Sequence, residues 1–296
     1  MRQAHLGQRY NTRSPENVVA EMKWLKEQYH PDHIWFVDDI LGLKPGWLEH
    51  FADLVQKEQA SIPFKSLNRA DLLLKGKTIE ALKKAGAQIV WVGAESGSQK
   101  ILDAMEKGTR IEQIYAASRQ LHEAEIQVGF FLQFGYPGET MEDIEKTLQM
   151  VRDCRPDDIG ASVSYPLPGT RFYAAVKEQL GAKKNWTDSQ DLAMLYQGPF
   201  STAFYRKLHE RLHKEFRLHQ AWYELKAAIR HPGRVRPGFL RRLLGMAYHW
   251  VTLPAVRFQM VLLRQAPHQA LAPILPALDP QSAAFPTPQS ERYLDR

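Results

Sequence analysis

The stretch Val90-Trp91-Val92-Gly93-Ala94-Glu95-Ser96-Gly97-Ser98-Gln99 decides the fold. Its first part, Gln88–Val92, is short, rich in Val and Ile and bounded by glycine, so it reads as a buried strand. Gly93 ends that strand and frees the backbone to turn, leaving Glu95 just past the carboxyl end. In parallel α/β folds this is where ligands bind. Ser98 is placed to cap the helix that follows. Lys107, one helix later, returns a positive charge to the same region. A carboxylate that accepts from an amine or hydroxyls, beside a cation that holds a carboxylate, suits a zwitterionic ligand. The plain alternative is a strand, loop and helix with two solvated charges.

Outward from this stretch, strands and helices alternate. Ser14-Pro15 starts a helix over Glu16–Tyr29, with Ser as N-cap and Pro at the first position; Val19, Met22, Leu25 and Trp24 form its apolar side. His33–Val37 is a strand ending on Asp38-Asp39. A helix over Pro45–Gln59 follows, then a strand over Phe64–Leu67 ending on Asn68-Arg69, and a helix over Lys77–Ala85 closed by Gly86. Beyond the central strand come a helix over Ile111–Ala124 and a strand over Val128–Phe134. The turn Gly135-Tyr136-Pro137-Gly138-Glu139-Thr140 leads into a helix over Thr140–Cys154. A strand over Asp158–Ser164 and a helix to Leu180 complete the series. Five βα units at this spacing predict a parallel sheet. Polar residues gather where strands end, which points to a ligand site on the carboxyl face of a barrel or half-barrel.

Composition bounds the rest. The chain has 296 residues, 44% hydrophobic, with a net charge of +6 and a single cysteine, Cys154. No apolar run reaches the roughly 20 residues of a spanning helix. One cysteine excludes an internal disulfide and any cluster held by three thiolates of this chain. It also suggests a reducing, cytoplasmic compartment. The modest positive charge does not demand a nucleic-acid partner, and none is expected.

The ordered set Asp38-Asp39, Arg69-Ala70-Asp71, Gly93-Ala94-Glu95-Ser96-Gly97-Ser98, Met105-Glu106-Lys107-Gly108-Thr109, Gly135-Tyr136-Pro137-Gly138-Glu139-Thr140 and Pro166-Leu167-Pro168-Gly169-Thr170 closely resembles the core of radical S-adenosylmethionine (SAM) enzymes. The nearest group is the cobalamin-binding subfamily that includes the anaerobic magnesium-protoporphyrin ester cyclase. The resemblance runs from about Gly7 to Leu180. It implies an α/β fold, a (βα)6 partial TIM-type barrel with SAM across the carboxyl ends of the strands. It also implies a 4Fe-4S cluster, cobalamin in part of the family, and reductive cleavage of SAM to a 5′-deoxyadenosyl radical. One departure stands out. The family's Cys-x-x-x-Cys-x-x-Cys loop is absent, and its continuation starts at Gly7-Gln8-Arg9-Tyr10 and Arg13-Ser14-Pro15-Glu16. The expectation is therefore a barrel over 1–180 lacking its first strand, not competent for SAM cleavage alone. A non-catalytic SAM-binding or scaffold protein is the alternative. An open barrel edge at His33–Val37 would favour self-association or pairing with a missing amino-terminal segment.

The resemblance and the strand ends together nominate the cofactor-binding residues. Asp38 or Asp39 would receive the methionine ammonium, and Arg69 a carboxylate or the ribose region. Glu95 would take ribose hydroxyls or the ammonium, and Lys107 the methionine carboxylate. Gln133, polar on an otherwise apolar strand, needs a partner in ligand or backbone. Gly135–Glu139 and Pro168-Gly169 read as turn formers.

A helical extension over 181–265 and a Pro/Ala/Gln-rich tail over 266–296, which reads as disordered, follow the barrel. Within the extension, His209-Glu210-Arg211-Leu212-His213 matches the zinc-hydrolase pattern His-Glu-x-x-His, with Glu224 as a third donor. The surrounding Arg206, Lys207, Arg211, Lys214 and Arg217 oppose a divalent cation and favour a solvated basic helix. Phe239–Leu263 is apolar and carries Arg241, Arg242 and Arg257. It reads either as a helix packed on the barrel or on domains absent from this sequence, or as one lying on a membrane surface through 239–264.

Overall fold

The computed structural model describes residues 11–180, 192–230 and 238–264. The Gly7-Gln8-Arg9-Tyr10 motif and the 266–296 tail lie outside them. The elements run α1 (Pro15–Tyr29), β1 (Ile34–Trp35), α2 (Trp47–Lys57), β2 (Phe64–Asn68), α3 (Ala70–Leu73), α4 (Thr78–Ala85), β3 (Ala87–Glu95), α5 (Gln99–Ala104), α6 (Ile111–Glu123), β4 (Gln127–Phe134), α7 (Met141–Cys154), β5 (Asp158–Val163), α8 (Arg171–Val176), α9 (Thr202–Arg230) and α10 (Phe239–Arg264). The five strands form one sheet in the order β1-β2-β3-β4-β5, every pair parallel. This is the expected half-barrel with a helical carboxyl-terminal part.

Alternation along the strands sets two faces. In β3, Val90, Val92 and Ala94 are fully buried against the helical layer, with Leu82 and Ile114 in the same core. Trp91, Gly93 and Glu95 point to the other, partly open face. There Trp91 stacks on Phe131 of β4, ring centres 4.5 Å apart. The pair needs glycine beneath it: a Cβ on Gly129 would lie 2.4 Å from the Trp91 ring, and one on Gly160 would lie 3.1 Å from Phe131.

Several boundaries differ from expectation, each for a local reason. The His33–Val37 strand shrinks to Ile34–Trp35. Phe36 still donates to the Lys65 carbonyl at 2.9 Å, but Val37 leaves the sheet and is 77% exposed. The Pro45–Gln59 helix starts at Trp47, because Gly46 at φ +76° forms its N-cap. Trp24 is not part of the core; it is half exposed and meets Tyr29 edge-on. The helix after β5 is α-helical only to Val176 and then tightens into a 3₁₀ turn over Lys177–Gln179. Ser14 caps α1 by accepting from the Asn17 amide, and Gly86 closes α4 in the left-handed conformation, both as expected.

Helix α9 enters the barrel's own core through Phe204, Tyr205, Leu208 and Leu212. A buried carboxylate, Glu215, anchors the junction. It accepts from Arg152 of α7 at 2.9 Å, Arg211 at 2.8 Å and Arg257 of α10 at 2.9 Å. Among the described residues no helix is long and apolar enough to cross a membrane.

Candidate functional site

The central strand does not stop at Gly93. It continues to Glu95 through a register shift, with Gly93 opposite Phe131 and Glu95 opposite Leu132. Ala94 is thus extra in the ladder, a bulge that re-aims the residue after it. Glu95 sits at φ +58°, and the Ser96 amide donates across it to the Ala94 carbonyl at 2.7 Å. A non-glycine residue held in the left-handed region is uncommon and concentrates at functional positions.

That conformation carries the Glu95 carboxylate to Lys107, whose Nζ donates to Oε1 at 2.6 Å. Both side chains are partly buried, 18% and 24% exposed. The pair lies over Gly93, where a Cβ would stand 3.0 Å from Nζ and 3.1 Å from Oε1. Glycine at 93 is therefore a space requirement for the pair. Arg69, at the end of β2, completes the group. Its guanidinium donates to both oxygens of Asp71 and to the Lys107 carbonyl at 3.3 Å. Asn68 instead ties Ser66 to the Leu41 carbonyl and faces the core.

The loop Ser96-Gly97-Ser98 is clamped to α7. Thr147 Oγ1 accepts from the Gly97 amide at 2.9 Å and meets Ser96 Oγ at 3.2 Å. Ser98 does not cap its helix through its side chain; its hydroxyl donates to Asp143 at 2.6 Å. Asp143 also accepts from Thr140 and pairs with Lys100 at 2.5 Å. Burial opposes ionisation of Asp143, but these donors outweigh it and hold its carboxyl at about 2. Gly97 has to be glycine: a Cβ would fall 2.3 Å from the Lys146 carbonyl oxygen of α7.

The other nominated residues stand apart from this group. Asp38 and Asp39 lie on the exposed loop after β1, without a hydrogen bond or ion pair to the described residues. Gln133 is partly buried near the end of β4, opposite Ser162, and its side chain likewise bonds to none of the described residues. The Gly135–Thr140 segment turns as expected but does more than turn. Glu139 is buried, accepts from the Gly135 amide at 2.7 Å and from the Tyr205 hydroxyl at 3.3 Å, and leaves Oε1 unpartnered. Burial raises its carboxyl to about 8.

The Glu95–Lys107 pair presents a carboxylate and an ammonium side by side, charges complementary to the two ends of a zwitterion. The cluster does not fit. Cys154 closes α7, on the side of the sheet where strands begin, and burial pushes its thiol up to about 12, away from the thiolate a cluster needs. The zinc pattern also fails to assemble. His209 and His213 meet Nε2 to Nε2 at 3.1 Å, and burial with neighbouring His209 and Arg217 lowers His213 to about 4. Glu210 is held by Lys207, and Glu224 by Arg242. Glu224 is also 11 residues further along α9, about 16 Å away. No three His, Cys, Asp or Glu side chains among the described residues converge on a metal position.

The chain is 28% identical over 182 residues to an uncharacterized methyltransferase of Pyrococcus horikoshii, covering 61% of this chain and 39% of the relative. It is 27% identical over 175 residues to the anaerobic magnesium-protoporphyrin IX monomethyl ester cyclase of Rubrivivax gelatinosus, covering 59% and 31%. The chain thus spans less than half the length of these curated relatives. Among solved structures, it superposes on the radical S-adenosylmethionine methyltransferase TsrM of Kitasatospora setae, a structure with cobalamin and a [4Fe-4S] cluster bound. The TM-score is 0.51 and the identity 21%, over 61% of this chain and 37% of that one. The family model of the Radical SAM superfamily matches residues 2–151, half of the chain, and the protein is a member of that superfamily.

Proposed function

We propose that this chain forms the SAM-binding wall of a radical SAM enzyme and cannot cleave SAM with its own residues alone. The observation that carries the reading is the Glu95–Lys107 pair, held over Gly93 at the carboxyl end of the central strand. A zwitterionic amino acid moiety can exchange with such a pair, its ammonium taking Glu95 and its carboxylate taking Lys107. Arg69 then steadies the Lys107 backbone, and Gln133, Asp38 and Asp39 offer further polar atoms along the same rim. The names of the relatives, a methyltransferase and an ester cyclase, favour group transfer or ring closure on an organic substrate. The family's radical chemistry depends on a thiolate-held cluster, and the one buried cysteine here cannot supply those thiolates.

Hydrogen bonds to charged groups contribute about 1.5–3 kcal/mol each. Parting the existing ion pair and immobilising the ligand offset much of that gain. Two or three such bonds therefore give a Kd on the order of 0.1–1 mM. Calorimetry with SAM tests the wall. Glu95→Gln and Lys107→Ala should each weaken binding about tenfold, and Glu210→Gln should leave it unchanged. Folded protein that takes up no SAM at millimolar ligand removes the binding claim. Anaerobic treatment with iron and sulfide tests the second claim separately: 5′-deoxyadenosine formed by the isolated chain would overturn it.

A further inference from the structure

The face of the sheet turned away from the helical layer is apolar but only partly buried. Paired residues of neighbouring strands share a face. The ladder therefore puts Trp35, Lys65 and Ile89 in one row, and Leu67, Trp91 and Gly129 in the next. Gly93, Phe131 and Gly160 form the third row, beneath and beside the Glu95–Lys107 pair. From the first row to the third is four residues along a strand, about 13 Å. Leu67, Ile89 and Trp91 neither belong to the buried core nor pack against it. Trp35 is 50% exposed and Phe131 37%. Glycines let the aromatic pair lie low. Trp91 leans into the place of a side chain at 129 and Phe131 into that of one at 160. Trp91 covers one side of the Phe131 ring and leaves the rest of it open.

Two cations stand on this face. Arg69 is held by Asp71. Lys65 is partly buried, with Nζ 4.1 Å from the centre of the Trp35 ring, and pairs with no carboxylate among the described residues. Asp158 shares the face but lies three strands away, on β5. An ammonium among apolar side chains is costly until an anion meets it. We propose that this floor receives the substrate of the SAM wall, and that the substrate is a flat, apolar ring system ending in a carboxylate. The proposal rests on the reading of Glu95 and Lys107 as that wall. The ring lies against Phe131 and Trp91, because aromatic faces favour a further ring. Its carboxylate meets Lys65 two rows away, the charge that the floor leaves unmatched. Substrate and SAM then adjoin at Gly93. A peptide laid on the same floor would leave its amide groups against apolar side chains, which disfavours a protein segment there.

Fluorescence titration of the full chain with 1-pyrenebutyrate, and with the uncharged 1-pyrenebutanol, is the test. The acid should bind about tenfold tighter than the alcohol, and Lys65→Met should erase that difference. Phe131→Leu keeps apolar bulk but removes the ring, and should weaken both probes about fivefold. Both side chains lie outside the buried core, so the circular dichroism of the variants should match wild type. Neither residue bonds to Glu95 or Lys107, so SAM calorimetry should read the same for both variants as for wild type. Uptake of pyrenebutyrate with the expected variant effects, but without uptake of SAM, would sink the SAM reading and uphold the floor as a site for flat carboxylates. Folded wild-type chain that binds no pyrenebutyrate overturns the proposal. So does binding that both variants leave intact, which would lie elsewhere on the chain. SAM binding weakened by Phe131→Leu overturns it too, since the ring would then hold the adenine.

Discussion

Gly97→Ala should damage the site from outside it, through the clamp between the Glu95 loop and α7. The added methyl would lie 2.3 Å from the Lys146 carbonyl oxygen, 2.5 Å from its carbon and 2.7 Å from Thr147 Cα. All three are helix backbone, which cannot rotate aside as a side chain can. Relief requires the loop and α7 to separate by about 1 Å. Overpacking of this kind costs about 1–3 kcal/mol. The separation also stretches the Gly97 amide bond to Thr147 and the Ser98 bond to the ionised Asp143. Weakening them adds about 1–2 kcal/mol. The expected loss is about 3–4 kcal/mol in urea unfolding, a large part of the stability of a domain this size. Because Glu95 is two residues away and held at φ +58° by the same loop, the ion pair with Lys107 should loosen as well. Calorimetry on the folded fraction should then show SAM binding weakened at least as much as by Lys107→Ala. A Gly97→Ala protein within about 0.5 kcal/mol of wild type, binding SAM equally well, would refute the clamp.

Other outcomes follow from the same contacts. Glu139 titrates at about 8 when folded and at 4.5 in its ordinary state, so folding takes up a proton between those values and stability falls as pH rises through that window. Glu139→Gln, which mimics the protonated form, should flatten this slope in thermal melts from pH 5 to pH 8; an unchanged slope would place the titrating group elsewhere. Asp143 behaves oppositely. Its carboxyl is lowered from 3.8 to about 2, so its contribution, about 2 kcal/mol, is present above pH 4 and disappears as pH falls towards 2. Asp143→Asn should remove that acid limb, and persistence of the limb would argue against the assignment. Glu215→Ala strips a shared acceptor from Arg152, Arg211 and Arg257 and should cost about 3 kcal/mol in urea unfolding. A loss under about 1 kcal/mol would show that packing of Phe204, Tyr205 and Leu208 alone holds α9.

The alternation of strands and helices, and hence the parallel half-barrel, was legible in the chain because it rests on local periodicity and on punctuation by Gly86, Ser14-Pro15 and Thr140. The same local signals placed Glu95 and Lys107 at one end of the sheet. Single-residue conformations were less legible. Gly93 reads as a strand terminus, yet the strand continues to Glu95, because pairing with β4 outweighs the local preference of one glycine. His33–Val37 is apolar enough for a strand, but only Ile34 and Trp35 hold a ladder on the one neighbour described, β2.

What the chain determined by itself is its family and architecture, since ordered motifs and hydrophobic period are written in consecutive residues. Its lone cysteine likewise settles how many thiolates it can offer. Tertiary structure alone decided what those motifs do to one another. It stacked Trp91 on Phe131 over two glycines, closed the Glu95–Lys107 pair over Gly93 and locked Gly97 against α7. It sealed Glu139 beneath Tyr205 and, among the described residues, brought no third metal donor to the histidine pair of α9. It also left the acid-free side of α10 bare. Each of these joins residues 12 to 66 positions apart, or shows which face of an element has a neighbour. Neither is encoded in local spacing, because distance in space and access to solvent exist only after the sheet and helices have packed.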